Sequence, residues 1–165
     1  MNKFIPLLAA LLLTACAYSV YMTQYPHLES IRVTTFENRS TQYAVQEELL
    51  LALSGEFQRD GRIKVVEMAP DCVIDGIILD YQNSVYDYDE NDVVTRYKVK
   101  MLFSVTLTDL VRNEEMWHSE SLLLEQVWQS DQSVESSLPQ SEEEARAEIY
   151  DDLYEQIMKN TFESW

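Results

Sequence analysis

The sequence is poor in glycine, cysteine and basic residues, and each shortage excludes a class of protein. Three glycines among 165 residues nearly rule out a glycine-rich loop that cradles phosphates. Two cysteines are too few for a disulfide framework or a cysteine-rich zinc site. Twelve Lys+Arg against 29 Asp+Glu give a formal charge of −17, which argues strongly against a nucleic-acid partner because phosphate binding depends on Lys and Arg. The length and the 46% of hydrophobic residues are those of one globular domain with a real core.

The N-terminus has the pattern of a bacterial lipoprotein signal. Lys3 precedes an apolar run over residues 4–13, which is too short to cross a bilayer but fits the central region of a signal peptide. Leu13-Thr14-Ala15-Cys16 then resembles the lipobox, in which the cysteine is acylated and becomes the first mature residue. We predict that residues 1–15 are removed and that Cys16 is the lipidation site. The alternative is an ordinary secretory signal with an incidental cysteine.

The residues after the lipobox predict a location and an acylated tether. An Asp directly after the cysteine favours inner-membrane retention in lipoproteins of this kind, and position 17 is Ala. The prediction is therefore an outer-membrane protein, held by several acyl chains and facing the periplasm. Residues 16–29 form the tether and carry three tyrosines. Removing residues 1–15 removes Lys3 and no acid, so the mature charge is 11 − 29 = −18.

Residues 30–165 predict a single α+β domain with the order β-α-β-β-β-β-α. Two amphipathic helices are expected to pack on one face of a mixed, mostly antiparallel sheet of four to five strands. The first helix has an apolar residue at every fourth position, from Val45 to Phe57, and the last follows a capping box at residues 141–144. The predicted strands cover residues 31–36, 63–66, 72–81, about 96–108 and 116–128.

Three connecting segments complete this prediction. Residues 36–40 are predicted as a turn, and Ser40 or Thr41 as the cap of the first helix. Residues 82–92, which end in a run of acids, are predicted as a polar loop. Residues 129–140 are predicted as a second loop.

The clearest functional pattern is a basic strip in the long strand. Alternation places Arg96, Lys98 and Lys100 on one sheet face, opposite the apolar series that runs from Tyr97 to Leu107. One interpretation is contact with phosphates or anionic lipid. The alternatives are a solvent face balanced by acids on the next strand, or lysines that protect an edge strand from pairing.

No other motif predicts chemistry, so we predict no enzyme, no cofactor, no metal and no catalytic residue. His27 and His118 are far apart and lack partners at ligand spacing. The run that begins at Asp87 resembles a calcium loop, but its sixth position is Asp92 rather than Gly, and its twelfth is Lys98 rather than Glu. Cys72 is expected to be a buried, inert thiol. A lipid-anchored hydrolase would need a cleft with perturbed carboxylates.

Several motifs of the mature chain follow one another in a recognisable order behind the lipobox at Cys16. They are residues 31–40 (IRVTTFENRS), 47–49 (EEL), 57–66 (FQRDGRIKVV), 71–76 (DCVIDG), 97–99 (YKV) and 141–145 (SEEEA). Together they resemble the lipopolysaccharide-assembly lipoprotein (LptE) family over nearly all of the mature chain. The motifs are structural rather than catalytic, and a strand that ends in Phe-x-Asn-Arg also occurs in other envelope lipoproteins.

The resemblance implies a small sandwich of two helices on a sheet, anchored at the inner leaflet of the outer membrane. It also implies a complex with a large LptD-type β-barrel, in which the lipoprotein acts as plug and folding partner while lipopolysaccharide is inserted into the outer leaflet. Direct lipopolysaccharide binding is the weaker implication, because at −18 only Arg96, Lys98 and Lys100 offer a cationic patch. The alternative function is an accessory lipoprotein of another outer-membrane secretion channel with a similar fold.

Overall fold

The computed structural model describes residues 25–130 and 137–163. The predicted signal peptide and Cys16 lie outside these residues. The elements are six strands and two helices, here numbered in chain order: β1 (Ser30–Val33), β2 (Glu37–Asn38), α1 (Val45–Asp60), β3 (Lys64–Val65), β4 (Cys72–Tyr88), β5 (Val94–Asp109), β6 (Glu114–Gln129) and α2 (Glu142–Thr161).

All six strands form one mixed sheet. Its order is β3-β1-β4-β5-β6, and β2 pairs with β4 beyond the end of β1. The short strands pair in parallel with their neighbours, whereas β4, β5 and β6 form a long antiparallel meander. The α+β prediction is confirmed. The strand number is six rather than four to five, because β2 has only two residues and is too short to show a period of two.

Both helices bury their apolar stripes against the same face of this sheet. On α1 the buried positions are the predicted ones, Val45, Leu49, Leu53 and Phe57. On β5 every second residue from Val99 to Asp109 is buried, which confirms the predicted alternation. The faces of the helices and the strand meet in one core, to which β6 adds partly buried residues such as Trp117 and Trp128. Among the described residues no helix is long and apolar enough to cross a membrane.

The predicted turn at residues 36–40 and the predicted cap of the first helix are both wrong. Residues 37 and 38 form β2, which pairs in parallel with Ile77 and Ile78 of β4. Ser40 does not cap α1, because its hydroxyl donates to Asn38 Oδ1 at 2.7 Å and accepts from the Gln42 N–H. The helix begins instead after Ala44, a left-handed residue (φ 63°) without a side-chain cap.

The predicted loop at residues 82–92 is mostly strand. β4 continues to Tyr88 and stays paired with β5 through three register irregularities, one near Leu79, one near Tyr86 and one between Asp87 and Tyr88. Backbone pairing with β5 overrides the polar composition here, and bulges let a long strand keep twisting. Only the tip is a turn, in which Asp89 Oδ1 accepts the N–H groups of Asn91 and Val93.

The second helix starts as predicted. The Ser141 side chain accepts the Glu144 N–H at 3.1 Å, while Glu144 Oε2 accepts the Gln140 N–H at 2.7 Å. The reciprocal half of the capping box is therefore displaced by one residue. Arg146 then joins the two helices, with its Nε 3.0 Å from Glu48 Oε2.

The two ends of the sheet differ. We call the end at which the chain enters from residue 25 the anchor end; it also holds the loop at 66–71 and the β5–β6 turn at 110–113. At the other end, the last residues of β4, the turn at residues 89–93 and the first residues of β5 form a hairpin, which we call the distal hairpin. Asp109 and Arg96 lie on the same strand thirteen residues apart, which is about 40 Å at 3.3 Å per residue.

Candidate binding face

One side of the sheet is the candidate functional site, because no described element packs on it. We call this side of β4, β5 and β6 the open face. It carries the residues that alternate with the buried series on β5, from Arg96 to Thr108, and their cross-strand partners on β6. Leu102 and Leu123 form an apolar pair at its centre, and Thr106 and His118 form a polar one, with Oγ1 and Nδ1 3.0 Å apart.

The structure places the three predicted cations together on the open face, near the distal hairpin. Each has a carboxylate partner: Arg96 pairs with Asp87, and Lys98 Nζ lies 2.8 Å from Glu125 Oε1. Lys100 Nζ approaches the other Glu125 oxygen at 3.7 Å. Balance by neighbouring acids is therefore observed. The edge-strand alternative is wrong, since β5 lies between β4 and β6.

An aromatic side chain lies beneath two of these cations. Lys98 Nζ is 4.6 Å from the centre of the Tyr86 ring, and the Arg96 guanidinium carbon is 5.6 Å from it. Hydrogen bonding from Lys98 lowers the pKa of Glu125, and hydrogen bonding from Arg96 lowers the pKa of Asp87. Both acids are therefore ionised at neutral pH, and the basic strip is a nearly balanced network with three cations and two anions.

The distal hairpin presents apolar side chains to solvent. Val85, Tyr86, Tyr88 and Val93 are all between 43% and 58% exposed. On the opposite side of the same region, Tyr97 stacks on Trp128 with ring centres 4.6 Å apart, and Trp128 Nε1 donates to Asn83 Oδ1. The helix-facing aromatics therefore brace the base of the hairpin, while its tip remains free for contact.

The two histidines and Cys72 occupy structural positions. His27 Nε2 lies 2.6 Å from Asp109 Oδ2 at the anchor end, while His118 bonds Thr106 on the open face. Burial raises the pKa of the Cys72 thiol to about 12, so the thiolate that a nucleophile needs is absent at neutral pH. No group of three metal-ligating side chains occurs in residues 25–130 and 137–163.

Sequence reasoning missed the role of Asp109. This carboxylate is 1% exposed and accepts hydrogen bonds from His27 and from the N–H groups of Val111 and Arg112. The sequence did contain a signal that Asp109 is buried, because Asp109 follows Val105 and Leu107 at the next buried position of the alternating pattern. A charged residue in a buried register predicts a partner, although the sequence alone does not say which one.

The fold is that of a small α+β domain in which one face of the sheet is open and carries a polar, paired-charge network. A family model described as lipopolysaccharide-assembly, LptE, matches residues 28–161. The chain therefore belongs to the LptE family. No curated protein sequence matches the chain.

Solved structures share this architecture at low sequence identity. The hypothetical protein CT253 from Chlamydia trachomatis is 8% identical with a TM-score of 0.56, covering 81% of this chain and 97% of its own. Protein XCC0632 from Xanthomonas campestris is 10% identical with a TM-score of 0.50, covering 79% and 84%. The rare lipoprotein B from Shewanella oneidensis is 15% identical with a TM-score of 0.45, covering 76% and 95%. The first two likenesses show that the fold is shared.

Proposed function

We propose that this protein is a non-enzymatic outer-membrane lipoprotein, acylated at Cys16, that serves as plug and folding partner of an LptD-type β-barrel during lipopolysaccharide insertion. The observation that carries the proposal is the match to the lipopolysaccharide-assembly family over residues 28–161. The lipobox at Cys16 supports the anchor, and Ala17 supports the outer membrane. Palmitate is the kind of acyl chain expected on such an anchor.

The open face supports a plug because the interior of a membrane barrel is polar. A charged side chain that enters such a lumen loses part of its water, and this costs least when the charge already has a partner. Lys98 and Glu125 are paired at 2.8 Å within the free domain, and Arg96 is paired with Asp87. A partner surface would therefore contact charged side chains that are already paired with one another in the free domain.

The proposal also includes a more specific element, which is direct contact between this protein and the phosphates of lipopolysaccharide. Arg96, Lys98 and Lys100 remain the proposed contact residues, because they are three neighbouring cations on one accessible face. A phosphate would have to compete with Glu125 and Asp87 for them. The proposed role in barrel assembly therefore does not depend on lipopolysaccharide binding, which would be an additional activity.

The test is affinity purification of the tagged, acylated protein from detergent-solubilised outer membrane. We expect one large LptD-type barrel in near-equal amount. Leu123 is 54% exposed on the open face, and Leu51 is 75% exposed on α1. Leu123→Arg should therefore lower barrel recovery several-fold, whereas the matched Leu51→Arg on the helical side should lower it less.

Two results would contradict the proposal. Recovery of a secretion channel in place of the barrel would move the function to an accessory lipoprotein of that channel. Equal recovery of the barrel with both arginine variants would show that the open face is not part of the interface. Cys16→Ala tests the anchor separately, because a variant still found acylated in the outer membrane would show that the lipobox assignment is wrong.

A further inference from the structure

The strand β6 forms one edge of the sheet, and this edge is long. Among the described strands β6 pairs with β5 alone, whereas the opposite edge is formed by β3, which has only two residues. β6 has sixteen residues and contains neither lysine nor proline, the residues with which many proteins prevent pairing at a sheet edge. A long edge without these residues is a template on which a further strand can form.

A register irregularity limits the part of β6 that can accept a strand. The pairing with β5 is continuous from Leu122 to Gln129. It then shifts, because Glu120 and Ser121 together lie opposite the single residue Ser104. Such a bulge interrupts strand pairing. The regular part is therefore residues 122–128, about 20 Å long, which we call the edge segment.

The end of the edge segment shows which backbone groups point outwards. The Gln129 N–H donates to the Pro139 carbonyl at 3.0 Å and therefore points away from β5. In an antiparallel pair, residues that bond the neighbouring strand alternate with residues that face away from it. Leu123, Glu125 and Val127 therefore direct their N–H and C=O groups outwards. No backbone hydrogen bond from the described residues reaches them on that side.

Acidic side chains of α2 lie on the helix side of the edge segment. Glu148 is held there, because its carboxylate accepts a hydrogen bond from the Gln126 side chain. Asp152 follows one turn later on the same side of the helix, and both acids are exposed. β6 itself has four glutamates and neither Lys nor Arg. An added strand would therefore be favoured by Lys or Arg on its helix-facing side.

On the open face the edge segment is more apolar. Leu123 is 54% exposed and Val127 is partly exposed, with Glu125 between them. Glu125 already pairs with Lys98 and Lys100, so it does not require a cation from a partner. Residues directly opposite each other on two strands share a face and contact each other. A matching strand would therefore carry apolar side chains on this side and basic ones on the other.

A second copy of this chain does not fit these charges. Two β6 strands paired antiparallel are related by a two-fold axis perpendicular to the sheet, so both helical layers lie on the same side. Glu148 and Asp152 of one copy would then face the same acids of the other copy across the new pair of strands. Like charges in this arrangement disfavour pairing. The acids of α2 thus oppose self-association and favour a cationic strand.

We propose that the edge segment binds an extended, cationic segment of the proposed barrel partner, which joins the sheet as a further strand. Its backbone bonds the outward groups of Leu123, Glu125 and Val127. Its Lys or Arg side chains lie beside Glu148 and Asp152. The wall strands of a closed barrel are bonded to one another, so this segment belongs to a loop or an extension outside the wall. The inference rests on the proposed function, and it names the contact that would hold the plug to the barrel.

Val127→Pro tests the backbone contact. Proline removes the outward N–H, which is not part of the ladder with β5, and proline is tolerated on edge strands for this reason. Val127→Thr is the matched control, because it keeps the N–H group and the branched side chain. The measurement is barrel recovery with the full acylated chain from solubilised outer membrane. Val127→Pro should lower this recovery several-fold, and Val127→Thr should lower it much less.

Hydrogen exchange on the unmodified protein tests the same contact without a substitution, and it applies even if the proline variant does not fold. In the free domain the amides of Glu125 and Val127 should exchange faster than those of Leu124 and Gln126, which face β5. In the purified complex with the barrel, the exchange of Glu125 and Val127 should slow at least tenfold.

Glu148→Lys tests the charge of the partner strand. Glu47→Lys is the matched control, because it makes the same change at an exposed acid of α1. Glu148→Lys should lower barrel recovery several-fold, since it places a cation beside the proposed Lys or Arg side chains. Glu47→Lys should lower it less. Equal recovery with both variants would contradict the cationic character of the strand.

The remaining outcomes separate this inference from the proposed function. If the unmodified protein recovers the barrel but Glu125 and Val127 are not protected, or a folded Val127→Pro recovers as much barrel, strand addition is wrong and the proposed function is untouched. If the unmodified protein recovers no barrel, the proposed function itself fails and the inference fails with it. A stable dimer of the protein without the barrel, with the same amides protected, would assign the edge segment to a second copy and overturn the proposal.

Discussion

The ring of Phe36 lies so close to Gly76 that no side chain fits between them. A Cβ at Gly76 would be 2.5 Å from Phe36 Cε2 and 2.4 Å from the Ser104 carbonyl oxygen. Phe36 is 2% exposed and directly precedes β2, which pairs with β4 next to Gly76. The contact joins two of the motifs that carry the family resemblance, so these motifs record a packing requirement rather than a catalytic one.

Gly76→Ala should destabilise the domain because the added methyl collides with both neighbours. We expect a loss of about 1–3 kcal/mol in the free energy of unfolding, or a few degrees in Tm. Gly55→Ala is the control, since nothing lies within 4 Å of a Cβ at that position in α1. It should stabilise by about 0.5–1 kcal/mol. Urea unfolding of both variants gives the comparison, and a loss at Gly55 as large as that at Gly76 would contradict the packing argument.

Asp109 should make stability depend on pH. Its folded pKa is lowered, so its contribution is present above the unfolded pKa and is lost as pH falls through the folded value. Asp109→Asn should therefore cost about 1–3 kcal/mol at pH 7 and progressively less as the pH falls below about 4, the ordinary pKa of an aspartate. Thermal unfolding of both proteins from neutral to acid pH measures the difference. A gap that does not narrow on acidification would exclude the ionised carboxylate as its cause.

The Cys72 thiol should be unreactive in the folded protein. Burial raises its pKa to about 12, so at pH 8 almost none is thiolate, and the side chain is closed to solvent. Ellman's reagent should react with it only after denaturation. In the acylated protein one thiol should then titrate, because Cys16 is blocked. Two thiols would show that Cys16 is free, and a fast reaction in the native state would show that Cys72 is exposed.

Glu125 should weaken the binding of phosphates to the basic strip, because it pairs with two of the three cations. Glu125→Gln removes the carboxylate that neutralises both Lys98 and Lys100. If the strip contacts phosphates, this variant should bind lipopolysaccharide several-fold more tightly at low salt, and the triple variant Arg96→Glu, Lys98→Glu, Lys100→Glu should bind less. Titration of both variants with labelled lipopolysaccharide checks this expectation. Unchanged binding in the triple variant would exclude the strip as the phosphate contact.

The sequence predicts the elements whose burial pattern spans several periods. The stripe of α1, the alternation of β5 and the cap at Ser141 all follow from local rules that need no knowledge of the partner element. The fold class follows from them, because each stripe needs a sheet face to cover it.

The errors arise where a distant strand decides the local structure. β2 has only two residues and exists because β4 offers unpaired backbone groups beside it. Residues 82–88, which were predicted to belong to a polar loop, form a strand because β5 pairs with them. Neither pairing has a signal in the segment itself, since strand formation is governed by neighbours more than by composition.

The position of the candidate site was predictable, and balance by acids on the next strand was one of the alternatives, but the sequence could not say which acids would pair with the cations. Alternation places Arg96, Lys98 and Lys100 on one face, and the structure agrees. That Glu125 would face two of them depends on the register between β5 and β6, which includes irregularities that a pattern does not reveal. The same holds for the bond from His27 to Asp109, which spans 82 positions of the chain.

The strand β5 runs without interruption for sixteen residues between the anchor end and the distal hairpin. Hydrogen bonding to both neighbouring strands makes this a spacer of fixed length, about 50 Å, and not a flexible arm. Its length can change only in paired steps. Removing two residues from each of β4 and β5 would lower the tip by about 7 Å and keep every side chain on its own face, whereas removing one would turn the basic strip towards the helices. The distance between the two ends of the sheet can therefore change only in steps of about 7 Å if every side chain is to keep its face.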